Sequence, residues 1–227
     1  MAGVYGHVIF DLDGTLVDSR IDLAQAVNHM LRHERLPALA PETITTFIGA
    51  GVGVLVQRAL GEHQERFESS LAEFLRYYRA HLLDNTRPYP GIPELLADLR
   101  GRDIGLSVLS NKPAEFGHAI IDGLGWLPFV SVLVGGDSLP QRKPDPAGVS
   151  HIAAQTGIVS ERILLVGDSP IDFETARRAG VAFCGVGWGL APDHLRRLGV
   201  RRLIAQPSEL LAVVDSPEYA GQSCIKR

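Results

Sequence analysis

The sequence predicts an α/β fold, a Rossmann-like doubly wound parallel sheet carrying an inserted helical segment. Three observations carry this reading. Short apolar runs recur, and each ends in a polar or glycine-rich turn. Helix-like stretches with recognisable starts separate those runs. One long stretch near the N-terminus abandons the alternation and keeps helical spacing alone.

The expected strands are His7 to Phe10, Ile104 to Leu109, Val130 to Val134, Ile163 to Val166 and Val181 to Val186, with Leu203 to Ala205 as a short sixth. They lack the apolar–polar alternation of a half-exposed sheet, so both faces are expected to be covered. Between them, Pro93 opens Glu94 to Arg100, Pro113 opens Ala114 to Leu124, and Asp145-Pro146 opens Ala147 to Thr156. From Ser19 to about Arg87, apolar residues recur at helical spacing, as in Ala24, Val27, Met30 and Leu31, and in Phe67, Leu71, Phe74, Leu75 and Tyr78. Pro88-Tyr89-Pro90-Gly91 reads as a stiff return linker. The expected organisation is a sheet domain from residues 1–17 and 89–214, a helical insert over 18–88, and a polar tail over 215–227.

At 227 residues and 45% apolar, the chain can bury a full core. A net charge of −4 and the absence of a long basic run speak against a nucleic-acid footprint. No apolar run reaches the roughly 18 residues of a membrane span, and no signal-peptide pattern opens the chain. Cys184 lies in an apolar run and Cys224 in the polar tail, which is no disulfide framework. A cytoplasmic protein, monomeric or homodimeric, is expected.

In open parallel sheets, ligands bind beyond the carboxyl ends of the strands. The turns expected there are Asp11-Leu12-Asp13-Gly14-Thr15, Ser110-Asn111-Lys112, and Gly167-Asp168-Ser169-Pro170-Ile171-Asp172, with Lys143 heading a turn before a helix. Four carboxylates gathered at one edge repel one another unless a cation is present. Oxygen donors without Cys or His select a hard ion, and Mg²⁺ leaves room for water and phosphate. Asp11 and Asp13 are two residues apart, so an extended backbone turns them to one side, where one can attack phosphorus while the other serves as acid and base. Gly14 lets the chain turn beneath a phosphate, Ser110 and the following amides can donate to its oxygens, and Lys143 can offset its charge.

Taken together, Asp11-Leu12-Asp13-Gly14-Thr15, Ser110-Asn111-Lys112-Pro113, Lys143-Pro144, and Gly167-Asp168-Ser169 with Asp172, Ala176, Ala179 and Gly180 resemble the four motifs of the haloacid dehalogenase superfamily, in order. The helical insert is similar to that superfamily's cap domain. The resemblance implies an aspartyl-phosphate on Asp11, acid/base work by Asp13, and Mg²⁺ held by Asp11, Asp168 and the Asp13 carbonyl, with Asp172 supporting the metal. It also implies phosphate contacts from Gly14, Thr15, Ser110, Asn111 and Lys143. Within the superfamily, the run from Phe47 to Leu60 is similar to phosphoglycolate phosphatases and their relatives, and a cap closing over the bound ester is expected to bring Gly49 and Arg20 to the substrate.

The expected substrate is a small phosphorylated metabolite, foremost 2-phosphoglycolate. Pyrophosphate, a sugar or amino-sugar phosphate, and a phosphomutase reaction of the β-phosphoglucomutase type are the alternatives. A hydrolytic dehalogenase has no use for a leaving-oxygen acid such as Asp13. A catalytically silent binding module would have lost Asp11 or Asp13, and both stand. Asp172 could instead cap the helix running to Ala179. Gly49, Gly51 and Gly53 could form a plain loop, since their spacing does not fit a dinucleotide fingerprint. His29 and His33 share a helical face but lack a third metal ligand, so they are expected to face solvent. Trp188 is expected to pack, and Cys184 to be inert core.

Overall fold

The computed structural model describes residues 4–190 and 192–216. Among them, six strands form one parallel sheet: β1 (His7–Phe10), β4 (Gly105–Leu109), β5 (Val132–Val134), β6 (Ile163–Gly167), β7 (Ala182–Val186) and β8 (Leu203–Ile204). Their order is β5-β4-β1-β6-β7-β8, so the chain builds outward from β1 to one edge and then returns to build the other half. The reversal places the crevice of the sheet at the carboxyl end of β1. Registers are tight there, with Phe10 opposite Val108 on one side and Val166 on the other.

Side chains alternate across the sheet. Val8 and Phe10 join Leu106, Val108, Leu164 and Val166 on one face. Ile9 joins Ile163, Leu165 and Phe183 on the other, where Val149 and Ile152 of α7 (Ala147–Thr156) and Phe173 and Ala176 of α8 (Pro170–Ala179) cover them. The first face is covered by α5 (Ile92–Gly101), α6 (Ala114–Gly123) and α10 (Glu209–Asp215). Burial on both faces is why the strands show no polar alternation.

The insert consists of α1 (Arg20–His33), α2 (Pro41–Thr45), α3 (Val52–Leu60) and α4 (Phe67–His81). Leu23, Val27, Met30, Val56, Phe74 and Tyr78 form an apolar interior continuous with the first face of the sheet. The two connections to the sheet are not simple linkers. Val17–Asp18 (β2) and Arg87–Pro88 (β3) pair antiparallel as a two-stranded ribbon. Beside it, the buried Asp22 carboxylate accepts from the Asn85 and Thr86 amides and from the Thr86 hydroxyl, which ties the first turn of α1 to the returning chain.

Five expected strands start or end a little differently. β6 runs on to Gly167, and β7 starts at Ala182 rather than Val181. Val130 belongs to a turn, donating its amide to the Leu127 carbonyl, and pairing begins at Val132. Gly105 replaces Ile104 as the start of β4, and β8 stops at Ile204. Asp215 closes α10 and pairs with Arg102, so the polar tail begins one residue later than expected; beyond Ser216 that tail, with Cys224, lies outside the described residues. No helix among the described residues is long and apolar enough to cross a membrane.

Candidate active site

Beyond β1 the chain turns at once. The Leu12 carbonyl accepts from the amides of Thr15, Leu16 and Val17, and Gly14 donates to the Val17 carbonyl. Gly14 sits at φ +87, and a Cβ there would lie 2.3 Å from Asp168 Oδ2. Only glycine permits both the turn and the approach. Asp11 and Asp168 are thereby held on neighbouring strand ends.

Asp11, Asp168 and Asp172 each offer a carboxylate oxygen, and these lie within 4.8 Å of one another, all buried. Lys143 Nζ stands 2.8 Å from Asp11 and 2.6 Å from Asp172. Burial and the neighbouring Asp172 push Asp11 up to about 7 against the pull of Lys143. Burial, with Asp172 and Asp11, holds Asp168 well above the usual carboxylate range. Burial draws Lys143 down, but the two carboxylates outweigh it and keep the ammonium charged. One lysine does not neutralise three carboxylates, and the donors are all oxygen. The cluster fits a hard divalent cation.

Two further features hold this edge. Asp168 Oδ2 accepts from the Leu190 amide at 2.6 Å, and a Cβ at Gly189 would lie 2.2 Å from the Asp168 Cβ. The glycine-rich segment after β7 therefore closes directly over Asp168. Asp172 is not the helix N-cap: Ser169 is, and Asp172 at the third helical position accepts from the Ser169 amide and hydroxyl in a capping box. Its other oxygen receives Lys143, so the cap and the charge cluster share one residue.

Asp13 reaches the seam with the insert. Lys112 Nζ lies 2.7 and 2.8 Å from its two oxygens, and Ser19 Oγ donates to Oδ1 at 2.5 Å. The same ammonium donates to Tyr78 Oη of α4 at 2.8 Å. Ser110 is buried at the end of β4, with its hydroxyl accepting from the Lys112 amide at 3.3 Å. Thr15 is fully buried; its hydroxyl has no partner among the described residues, and its carbonyl accepts from Trp188 Nε1 at 3.1 Å.

The remaining expected contacts divide. Asn111 does not aim its amide at the carboxylates; Nδ2 donates to the carbonyls of Gly49 and Lys143, each at 3.1 Å. Gly49 and Gly51 line a small cavity between insert and sheet, together with Ile48, Val52, Leu55, Phe74, Phe116, Lys112 and Asp13. Arg20 is not in that lining. It is exposed at the start of α1 and pairs with Asp18 of the ribbon at 2.5 Å. His29 is not simply solvated either, for it bonds Glu73 at 2.7 Å and stacks on Tyr77, while His33 is exposed. Cys184 is buried, and burial pushes its thiol up to about 12, as inert core requires.

Lys112 and Tyr78 had no assigned role in the sequence reading. Lys112 stood inside a recognised motif, so its charge was the available signal. Tyr78 occupied an apolar position of an amphipathic helix, and nothing local separates such a tyrosine from ordinary core.

Residues 8–186 match the model of the haloacid dehalogenase-like hydrolase family. The chain is 40% identical to the phosphoglycolate phosphatase of Chromobacterium violaceum over 190 residues, covering 81% of this chain and 86% of that one. Its identity to the phosphoglycolate phosphatase of Rhodospirillum rubrum is 38% over 223 residues, covering 94% and 92%. Among solved structures, it superposes with a TM-score of 0.86 on a protein from Haemophilus somnus described as a predicted phosphoglycolate phosphatase, at 31% identity and 92% and 97% coverage.

Proposed function

The chain belongs to the haloacid dehalogenase-like hydrolase family, and from that premise we propose that it hydrolyses a small phosphomonoester, 2-phosphoglycolate foremost, through a phosphoryl group carried on Asp11. The observation that carries the reading is the division of labour at the end of β1. Asp11 stands in the carboxylate cluster with Lys143 at 2.8 Å, while Asp13 is turned toward the cavity beneath the insert.

The reaction needs a nucleophile, an acid/base and neutralisation of the phosphoryl oxygens. Asp11 attacks phosphorus, and the proton of Asp13 passes to the ester oxygen as the P–O bond breaks. Water then attacks the phosphoryl group, gives its proton to Asp13, and restores the Asp11 carboxylate. Lys143 and the amides following Ser110 hold the phosphoryl oxygens; the partnerless Thr15 hydroxyl stands in the turn next to them. The residues that would hold Mg²⁺ are Asp11, Asp168 and the Asp13 carbonyl, with Asp172 fixing Lys143 beside them. When bound, the ion screens the carboxylates from one another and offsets the charge on the phosphoryl group.

The insert serves as a cap whose cavity receives the leaving group. Ile48, Val52, Leu55, Phe74 and Phe116 give that cavity an apolar wall, and Lys112 and Asp13 are the charged groups in its lining. The activity of the two related phosphoglycolate phosphatases supports 2-phosphoglycolate as the substrate, and we place the enzyme in the cytoplasm.

Purified protein is to be assayed on p-nitrophenyl phosphate with and without Mg²⁺, then on a panel of 2-phosphoglycolate, pyrophosphate and sugar phosphates by kcat/KM. Metal-dependent phosphate release that falls by at least about 10³-fold in Asp11→Asn is expected. Metal-independent turnover, or an active Asp11→Asn variant, would overturn the reading; a higher kcat/KM on a sugar phosphate would overturn the substrate.

A further inference from the structure

Asp13 is held from both sides of the seam between sheet and insert. Lys112 grips its two carboxylate oxygens at 2.7 and 2.8 Å, and the third partner of that ammonium is the Tyr78 hydroxyl at 2.8 Å. Lys112 also stands 4.9 Å from the centre of the Tyr78 ring. The tyrosine has little freedom of its own. It is buried, stacked on Phe74 at 5.6 Å and set edge-on to Phe116 at 5.1 Å. Tyr78 belongs to α4 of the insert, whereas Lys112 and Asp13 belong to the turns after β4 and β1. The carboxylate, which Ser19 also holds at 2.5 Å, is therefore linked through Lys112 to a side chain of the insert.

We infer that Tyr78, acting through Lys112, is a positioning residue that holds the Asp13 carboxylate for the second half of the reaction, the hydrolysis of the phosphorylated Asp11. This rests on the proposed function and deepens it. The contribution is one of direction. Two bonds from one ammonium fix both oxygens of the Asp13 carboxylate, and the attacking water must hand its proton to an oxygen held in that direction. In that step the water oxygen bonds to phosphorus, the bond from phosphorus to the Asp11 oxygen breaks, and the water proton passes to Asp13. With a good leaving group the first half makes little use of Asp13, so the contact with Tyr78 contributes less to it. An aryl phosphate, whose leaving oxygen needs little protonation, isolates the difference.

The test is rapid-mixing kinetics on Tyr78→Phe, which keeps the packed ring and removes only the hydroxyl. With p-nitrophenyl phosphate and Mg²⁺, kcat is expected to fall about tenfold while kcat/KM, which reports phosphorylation, stays within about threefold. A burst of p-nitrophenol approaching about one equivalent per site, absent or smaller in the wild type, is expected together with phosphorylated protein in acid-quenched samples. Lys112→Met should give the same pattern more strongly, which covers the case where a water replaces the hydroxyl. Parallel loss of kcat and kcat/KM in both variants, or no change in either, would overturn the inference. Failure of the function itself has a different signature: no phosphorylated protein in any variant, or activity that survives Asp11→Asn.

Discussion

The side-chain amide of Asn111 donates to the carbonyl of Gly49, joining the turn after β4 to the glycine-rich loop of the insert. Its second proton goes to the Lys143 carbonyl, so one amide spans three loops around the cavity. Asn111→Ala removes both bonds, each worth about 1 kcal/mol. Because the lost bonds hold the insert over the substrate, KM for 2-phosphoglycolate should rise about tenfold with a smaller fall in kcat. Steady-state kinetics check this; a fall in kcat alone would place Asn111 in the chemistry instead.

A second tie lies at the ribbon. Asp22 is fully buried, and Asn85 and Thr86 donate to it from two amides, a side-chain amide and a hydroxyl at 2.7 to 3.0 Å. Asp22→Ala leaves those donors unpaired in a buried setting, and the expected cost is about 3 kcal/mol. Urea denaturation should show a lower midpoint at unchanged slope. A loss below about 1 kcal/mol would mean that water replaces the carboxylate.

Most of the fold was legible because buried parallel strands write themselves as uninterrupted apolar runs, as Ile163 to Val166 does. The strand ends carrying Asp11, Ser110 and Asp168 were legible for the same reason. The ribbon was not, since Val17–Asp18 and Arg87–Pro88 are two residues each and pair only across the whole insert. The pairing of Arg20 was not legible either, since its partner, Asp18, lies two residues away in a paired strand rather than across the cavity. The contacts of Lys112 and Leu190 join positions far apart in the chain, and neither residue type announces its partner.

Gly14 supplies a third prediction. An alanine Cβ would meet Asp168 Oδ2 at 2.3 Å and Leu190 Cγ at 2.8 Å, on a backbone at φ +87 that side chains disfavour. Gly14→Ala should cost about 1–3 kcal/mol in stability and displace Asp168. The half-saturating Mg²⁺ concentration in the phosphatase assay should rise about tenfold. An unchanged metal requirement, in a variant that still folds, would remove Asp168 from the ion's coordination.

The last prediction concerns pH. His7 opens β1, packs over Gly105, and bonds the Ser107 hydroxyl at 2.8 Å; burial draws its ring down to about 4 from the ordinary 6.5. Between those values the unfolded chain binds a proton that the folded protein refuses. The contribution is therefore fully present above pH 6.5 and is lost as pH falls from there toward 4, at a slope of up to about 1.4 kcal/mol per unit. Asp11 and Asp168, raised in the folded state, act in the opposite sense, so the wild-type curve alone does not isolate the histidine. The difference between wild type and His7→Gln does, because the carboxylates are common to both. Their Tm values, measured from pH 7.5 to 4.5 in steps, should converge as pH falls below 6.5; parallel curves would show that His7 takes up its proton as readily in the folded protein as in the unfolded chain.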